Sequence, residues 1–241
     1  MMIKSQAIVL HSLKYGETRL IVDMFTRSHG YLSFIVSIPK SAKSKFKKQF
    51  FQPLSLLEIE TDVRPRQQLQ KLADVRLLSP FASIPFDSHK LAIALFLSEF
   101  LYHALRSEQC NELLFDYIVN SLQWFDGQRD SFASFHLVFL MRLSRFLGFY
   151  PNLDDYTAGD YFDLRESMFC AAAPVHRDFL DPAEAEKVQL MMRMDYPTMR
   201  LFRMTHQERN RLLEVTLSYY RLHIPDFPEL KSVAVLQDLY R

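Results

Sequence analysis

The period of the apolar residues changes once along this chain, and that change limits the folds open to it. Up to about Leu78, apolar side chains recur at every second position in short runs; from Asp87 they recur with the 3.6-residue period of a helix. The first part reads as five strands. Gln6–Leu13 is rich in β-formers and ends at the turn Tyr15-Gly16-Glu17. In Arg19–Phe25, Leu20, Val22 and Met24 alternate with Ile21 and Asp23. Ser28-His29-Gly30 turns the chain into Tyr31–Ile38. In Leu54–Thr61, Leu57 and Ile59 alternate with Glu58 and Glu60, and Arg64-Pro65-Arg66 marks the next turn. Ala73, Val75 and Leu77 then alternate with Asp74 and Arg76. The one helical turn the pattern allows lies between the third and fourth strands. Five antiparallel strands with an insert at that point are the plan of an OB-fold barrel; an SH3-like barrel is the competing plan.

Ser79-Pro80 and Ile84-Pro85 end the strand pattern. Leu91, Ala94, Leu95, Ser98, Leu101 and Leu105 then form one helix face, with Ile93, Phe96 and Phe100 off it, so this helix is expected to be buried on most sides. Leu114, Tyr117, Ile118, Ser121, Leu122 and Phe125 make a second stripe, ended by Asp126-Gly127. A third helix is predicted over Ser131–Leu147, with Gly148 as its C-terminal glycine. Residues 150–176 read as loop with a hairpin through Tyr161–Leu164 and Met168–Ala171. Asp181-Pro182 is a cap followed by proline at the first helical position, and Thr205-x-x-Glu208 is a capping box opening a helix over Gln207–His223. A last short helix is predicted over Ser232–Tyr240. The expected architecture is α+β and multidomain: an N-terminal five-stranded OB-fold β-barrel over residues 1–79, then an all-helical domain over 80–241 with the 150–176 hairpin as an insertion.

Glycine excludes two large function classes. Five glycines, Gly16, Gly30, Gly127, Gly148 and Gly159, are too dispersed for GxxxxGK[ST] or GxGxxG, so neither a phosphate-binding loop nor a dinucleotide site is present. Two cysteines, Cys110 and Cys170, give no disulfide framework and suit a reducing cytosol. No signal peptide is read at the N-terminus, and the longest apolar run, Leu91–Leu97, is far short of the roughly 20 residues of a membrane helix. The eight histidines are scattered, without HExxH or a spacing that would chelate with cysteine. Asp154, Asp155, Asp160 and Asp163 offer oxygen ligands for a divalent cation but match no known loop spacing, so they read better as a solvated acidic loop. A nuclease using them is a third-ranked reading. With no convergent set of tuned groups, a binding protein is expected rather than an enzyme, with no cofactor and no metal.

Charge says what would be bound. Residues 1–79 hold 13 Lys+Arg against 6 Asp+Glu, and the remainder holds 16 against 22, so a net charge of +1 conceals a basic head on an acidic body. The basic residues concentrate in Lys40–Gln52, where Lys40, Lys43, Lys45, Lys47 and Lys48 fall within nine residues, interleaved with Phe46, Phe50 and Phe51. Such a segment between strands of a small barrel suits single-stranded nucleic acid, lysines tracking phosphates and rings stacking on bases. The alternative is a solvated turn with its phenylalanines in the core. Lys14, Arg19, Arg64 and Arg66, with Arg27, Lys71 and Arg76, extend the basic set. Tyr15, Tyr31 and Phe46 are candidate stacking residues or core residues. In the helical part, Arg142 lies on a mostly apolar arc with Arg145 one turn further. It is expected either to pair with a buried acid or to sit at the rim of an apolar groove that takes an anionic peptide.

The chain also resembles a family. Ala7-Ile8-Val9-Leu10, Tyr15-Gly16-Glu17, Ile21-Val22-Asp23-Met24-Phe25-Thr26 and Gly30, then the basic segment with Phe51-Gln52-Pro53-Leu54, are similar to the N-terminal third of RecO, the bacterial recombination-mediator and DNA-repair family. Leu147-Gly148-Phe149-Tyr150-Pro151 and Tyr161-Phe162-Asp163 look like landmarks of its C-terminal half. The resemblance implies an OB-fold on a helical body. It implies binding of single- and double-stranded DNA, annealing of complementary strands and contact with the C-terminal tail of single-strand binding protein. It also implies action with RecR to load RecA, without ATP, in the nucleoid of the bacterial cytoplasm. One departure is clear: many members carry four zinc-ligand cysteines as CxxC pairs in the region matching Leu153–His176, and here Cys170 remains, with His176 the nearest other soft ligand. Two candidates do not make a four-coordinate site, so no zinc is expected, and Tyr161, Phe162, Met168 and Phe169 are expected to hold the hairpin by packing. The rival reading from another class is an RNA-binding OB-fold protein of RNA processing or translation.

Overall fold

The computed structural model describes residues 2–38, 46–154 and 156–238. Five strands, β1 (Met2–Tyr15), β2 (Arg19–Thr26), β3 (Gly30–Ser37), β4 (Leu56–Asp62) and β5 (Leu69–Ser79), close a barrel in the order β1-β2-β3-β5-β4. β1 returns to pair with β4, and β3 meets β5 in parallel through Ser33–Ile35 and Leu69–Lys71. A short helix, a 3₁₀ turn over Lys48–Phe51, lies between β3 and β4. This order and insert are those of an OB-fold, which decides against the SH3-like plan.

Strand alternation fills the barrel. Ala7, Val9, Leu20, Val22, Met24, Phe34, Val36, Leu57, Ile59 and Val75 point inward to one core, with Phe51 inserted from the 3₁₀ turn. Ala73 and Leu77, expected with Val75 on the inner face, are instead exposed: a register shift between Glu60 and Thr61 puts Leu72 rather than Ala73 against the core, and Leu77, opposite the buried Leu57, lies toward the end of the strand. Leu54 takes a left-handed backbone, φ 62°, and is fully buried while its N–H donates to the Val9 carbonyl.

α1 (Ser88–Ala104) is capped by Asp87, whose carboxylate accepts from the His89 and Lys90 N–H groups. It is buried on most sides, with Ile93, Phe96, Leu97, Phe100 and Leu101 excluded from solvent. Leu91 and Leu95, expected in its buried stripe, are exposed; they line an apolar groove of about 390 Å³ with Pro53, Leu77, Phe81 and Ile84. α2 (Glu112–Gly127) buries the stripe its sequence marks, Tyr117 remaining half-buried. α6 (Ser232–Asp238) docks on α1, where the Glu99 carboxylate accepts from the N–H groups of Lys231 and Ser232. Barrel, α1, α2 and α6 belong to one compact unit, Met1–Gly127 with Leu230–Leu239.

Gln128–Glu229 form a second compact unit. Its α3 (Phe135–Leu147) starts four residues later than the apolar pattern predicts, because Ser131 is left-handed, φ 58°, and it ends at Gly148, φ 88°. β6 (Tyr161–Asp163) and β7 (Met168–Cys170) make the expected hairpin, and β8 (Phe179–Leu180), which the sequence pattern did not mark, adds to the other edge of β6. α4 (Pro182–Arg193) and α5 (His206–His223) begin at Asp181 and at the Thr205/Glu208 capping box.

Candidate nucleic-acid interface

The outer face of β1, β2 and β3 is ruled into rows by its register. His11, Asp23 and Ser33 stand opposite one another, then Leu13, Ile21 and Ile35, then Tyr15, Arg19 and Ser37. A bulge at Leu10 brings His11 opposite Asp23 and keeps the rows aligned. The parallel pairing of β3 extends the middle row to Lys71 of β5.

The two ends of this face differ. Phe25, beyond the first row, is fully buried against Phe115 of α2, with ring centroids 6.3 Å apart. Arg27 reaches Glu112 at 3.2 Å and Asp116 at 3.0 Å on α2, so this member of the basic set holds a helix to the barrel. Gly30 lets the Glu108–Gln109 backbone approach so closely that a Cβ there would lie 2.4 Å from the Glu108 carbonyl oxygen. Tyr31, a stacking candidate, is half-buried; its N–H donates to the Glu108 carbonyl and its ring lies 6.4 Å from that of Tyr102. Burial, and next the Asp23 charge, drive its phenol pKa up. Asp23 itself is buried: desolvation pushes its pKa up, but hydrogen bonds from His11, Ser33 and Tyr31 outweigh that and hold it below the ordinary value.

At the other end the face is open. Lys14, Tyr15 and Arg19 are exposed around the turn made by Gly16, φ 70°. The Ile38 N–H donates to the Thr18 carbonyl at 2.7 Å, so the chain leaves β3 beside this turn and enters the lysine segment there. Lys40, Lys43 and Lys45 lie outside the described residues. Lys47 and Lys48 are exposed at the return. Phe46 packs against the barrel core with Phe50, so of the two readings open for it the structure supports core over stacking. Lys14, Arg19, Lys47, Lys48, Arg66 and Lys71 make no ion pair with any described residue. Arg64 pairs with Asp62 at 3.2 Å, in a turn held by Gln70, which accepts from the Arg64 N–H and donates to the carbonyls of Arg64 and Gln67.

In the second unit Arg142 meets neither of its two expectations fully. Among the described residues it pairs with no buried acid; its Nη2 donates to the Met194 carbonyl at 3.2 Å and its guanidinium lies 5.8 Å from the Tyr196 ring. Arg145 is exposed over Tyr150, at 4.5 Å. Met194 also lines a groove of about 350 Å³ with Leu190, Phe202, Arg203, Met204 and Leu212.

Asp160 and Asp163 of the loop cap turns, while Asp154 donates its N–H to Asn152 Oδ1. Asp160 accepts from the Thr157 N–H, and Asp163 accepts from the N–H groups of Arg165 and Glu166 and faces His176 at 3.1 Å. Asp155 lies outside the described residues. Cys170 Sγ is directed at the Tyr161 carbonyl. Among the described residues no three His, Cys, Asp or Glu side chains are grouped to hold a metal ion. Phe162 and Phe169 form the hairpin's buried centre, with centroids 4.9 Å apart, and Tyr156 adds an edge contact to Phe169 at 4.8 Å. Met168, expected in that centre, faces outward because it alternates on its strand with the inward Phe169.

Comparison with known proteins covers the whole chain. The family model for the N terminus of recombination protein O matches residues 1–81, and that for its C terminus matches residues 85–233. The chain is 52% identical over 241 residues to the DNA repair protein RecO of Bacteroides fragilis and 50% identical over 240 residues to that of Phocaeicola vulgatus, each aligned over 100% of both chains. It is 34% identical over 242 residues to the DNA repair protein RecO of Flavobacterium psychrophilum, again over 100% of both. No helix among the described residues is long and apolar enough to cross a membrane.

Proposed function

The chain belongs to the RecO family, with a role in DNA repair and recombination, and on that premise we propose that it is a mediator that binds single- and double-stranded DNA and anneals complementary strands. With RecR it helps load RecA onto DNA coated by single-strand binding protein. The observation that carries this reading is the open end of the barrel face. There Lys14 and Arg19, exposed and without ion-pair partners among the described residues, flank the turn beside which β3 ends and the chain runs on to the lysine segment. Cations held apart from acids keep their attraction for phosphates, and each phosphate they neutralise releases a counterion. Barrel 1–79 is the DNA-binding module, with Lys14, Arg19, Arg66 and Lys40, Lys43, Lys45, Lys47 and Lys48 on the phosphates. Arg64, already paired with Asp62, contributes less.

Annealing then needs no chemistry from the protein. Neutralising one strand lowers its repulsion for the complement, and because phosphate contacts carry no base information the activity has little sequence preference. The helical part holds protein partners, with the acidic tail of single-strand binding protein taken near Arg142 and Arg145. The site of action is the bacterial cytoplasm, on the nucleoid. The test is annealing of two complementary oligonucleotides, each coated with single-strand binding protein, without ATP. Wild type anneals them; a folded variant with Lys40, Lys43, Lys45, Lys47 and Lys48 changed to Gln does not. Annealing that survives in the variant removes the lysine segment from the mechanism. Preference of the wild type for RNA over DNA of the same sequence replaces the mediator reading by an RNA-binding one.

A further inference from the structure

The apolar groove beside α1 has no part in the functions above. Leu91, Ala94 and Leu95 of α1 line one side, Phe81, Ile84 and Pro85 of the linker another, and Gln49, Pro53 and Leu77 of the barrel the rest. Leu91 and Leu95 are exposed there, and no lining residue carries a charge. An open apolar cleft of about 390 Å³ is costly to leave in water. Without a cation in its lining it does not suit a phosphate or an acidic tail.

A ring that suits the cleft stands next to it. Phe86 follows Pro85 of the lining, is 84% exposed, and does not line the cleft itself. The linker holds it in place. The N–H groups of Phe86 and Asp87 both donate to the Ser83 carbonyl, Asp126 accepts from the Ser83 N–H and hydroxyl, and Asp87 caps α1. A fixed phenylalanine beside an apolar cleft that it does not fill makes this surface self-complementary. A two-fold axis between ring and cleft sets each ring in the other copy's cleft, and the contact closes at two copies. Charge is complementary too. The borders of the cleft hold one charge of each sign: Asp87 next to the ring, and Lys48 next to Gln49, exposed and without an ion-pair partner among the described residues. A two-fold opposes the borders in reverse order, so the acid of one copy meets the base of the other.

We propose that this face joins two copies of the chain in a reversible dimer, the Phe86 ring of each seated against Leu91, Leu95 and Phe81 of the other, with Asp87 of one copy facing Lys48 of its partner. One ring and three leucines a side fall short of the roughly 800 Å² per partner of a standard interface. The dimer is therefore weak, with a dissociation constant of roughly tens of micromolar. The contact is independent of the proposed DNA role, so a measurement without DNA tests it alone. Where the barrels bind DNA, the dimer carries two of them, one for each strand to be annealed.

Sedimentation velocity of the full chain without DNA, over roughly 1 to 300 µM, brackets the expected midpoint. Wild type should pass from monomer to dimer in that range. Phe86→Ser removes both rings from the contact and should weaken it about 100-fold, about tenfold for each ring, leaving monomer throughout. Leu95→Arg fills the cleft with a charge and should do the same. Mixed together, the two variants regain one seat, because the ring of the Leu95→Arg chain enters the open cleft of the Phe86→Ser chain. The mixture should dimerise about tenfold more tightly than either variant alone. Phe86 is exposed and its backbone bonds do not involve the ring, so Phe86→Ser should fold; labelled and mixed with wild type, it gives the same single seat if Leu95→Arg does not fold. Salt between about 0.1 and 1 M should change the dimer little, since exposed ion pairs contribute little to it. A wild type that stays monomeric, a dimer that Phe86→Ser leaves intact, a mixture no tighter than its components, or a dimer that salt dissolves would each overturn the proposal.

Discussion

Barrel and helical unit both carry paired and unpaired cations but set them in different surroundings, a basic head and an acidic body. In the helical unit Arg165 is bound to Asp178 at 2.7 Å, Arg211 to Glu184 at 2.6 Å and Lys187 to Glu208 at 3.4 Å. Arg209 and Arg142 donate to backbone carbonyls, and Arg145 lies over a ring. In the barrel, Lys4, Arg64 and Arg76 are paired with Glu58, Asp62 and Asp74, whereas Lys14, Arg19, Lys47, Lys48, Arg66 and Lys71 stand exposed with no such partner among the described residues; Arg177, Arg193, Arg200, Arg203 and Arg221 of the helical unit are exposed without one as well. The contrast is not one of unit against unit alone. Arg27 and Lys90, where barrel and linker meet α1 and α2, are as fully engaged as any cation of the helical unit. Exposed pairs add little to stability, about 0–1 kcal/mol each, so their absence from the barrel loops costs the fold little. It leaves a field that a polyanion can use. The comparison can be broken or sharpened by removing cations of each kind.

The largest effect is expected at Lys90. Its side chain is 1% exposed, and its Nζ donates to Ser83 Oγ at 2.6 Å, the Phe125 carbonyl at 2.9 Å and the Asp126 carbonyl at 3.0 Å. The Asp126 carboxylate in turn accepts from the N–H groups of Ala82, Ser83 and Ile84, clamping the linker to the end of α2. Lys90→Met removes the ammonium donor from the buried Phe125 carbonyl and from Ser83 Oγ and the Asp126 carbonyl, which keep their bond to each other, at a cost of about 3 kcal/mol. For a chain of this length that lowers Tm by roughly 6–12 °C. The salt slope of DNA binding by the folded variant should not move. If it became shallower, the division between structural and DNA-facing cations would be wrong at Lys90.

A matched pair of triple variants tests the division directly. Changing Lys14, Arg19 and Lys71 to Gln removes the same formal charge as changing Arg165, Lys187 and Arg211 to Gln. The barrel triple should flatten the single-strand salt slope by about 2 and weaken binding about 100-fold at 0.1 M salt relative to 1 M, where counterion release no longer contributes. The helical triple should do neither. Equal losses in both would mean that net charge, and not placement, governs binding.

What the sequence could show of this division follows from locality. Strand alternation, the Thr205/Glu208 box, the Asp181 cap and Gly148 act over a few residues, and they stand in the structure where the sequence puts them, except that Ala73 and Leu77 of the last barrel strand face outward. The basic character of the head is a sum over residues and is equally legible. Partners far apart in the chain are not. Nothing near Arg27 announces Glu112 and Asp116, and nothing near Lys90 announces Asp126. Phe46 and Tyr31 carry rings that suit a base as well as a core, and only the closed barrel and the α1–α2 layer assign them. Leu91 and Leu95 fit a helical stripe by period, yet the barrel covers the other sides of that helix and leaves these two at a groove. Rows such as Leu13–Ile21–Ile35 need the register of three strands, which turn lengths alone do not fix once Leu10 is bulged.

The units also differ in what acid should do to them. His136 of α3 is wholly buried, and that burial, with Arg209 facing it, drives its pKa down to about 3. A histidine with a lowered folded pKa stays neutral in the native state while the unfolded chain takes up a proton below about 6.5. Stability therefore falls as pH drops from about 6.5 toward 3 and levels off below. At pH 5 the loss is about 2 kcal/mol. His103 of α1 is shifted the same way by burial but is half-exposed, so its share is smaller. Hydrogen exchange should show α3 losing protection between pH 7 and pH 5 more than α1, and His136→Phe should remove most of that difference. Equal loss in both helices would deny His136 this role.

The smallest effect concerns the cations of the helical unit that are engaged without an acid. Arg142 donates to a carbonyl and lies near a ring, and Arg145 lies over a ring, so both keep a net positive charge for an anionic peptide. The apolar groove that shares Met194 with Arg142 has Lys187 and Arg203 in its lining, and Lys187 is tied to Glu208. Replacing Arg142 and Arg145 with Ala should weaken binding of an acidic tail peptide about tenfold, within the worth of charge-assisted hydrogen bonds. DNA affinity should stay as it was. Fluorescence anisotropy of a labelled peptide reads the first, and the oligonucleotide titration the second. Unchanged peptide affinity in this variant, with a loss on replacing Lys187 and Arg203 instead, would move the tail to the groove itself. The rule would then change: a cation held by an exposed acid would be as available to a partner as one held by a carbonyl, and the barrel cations would differ from the rest in position alone.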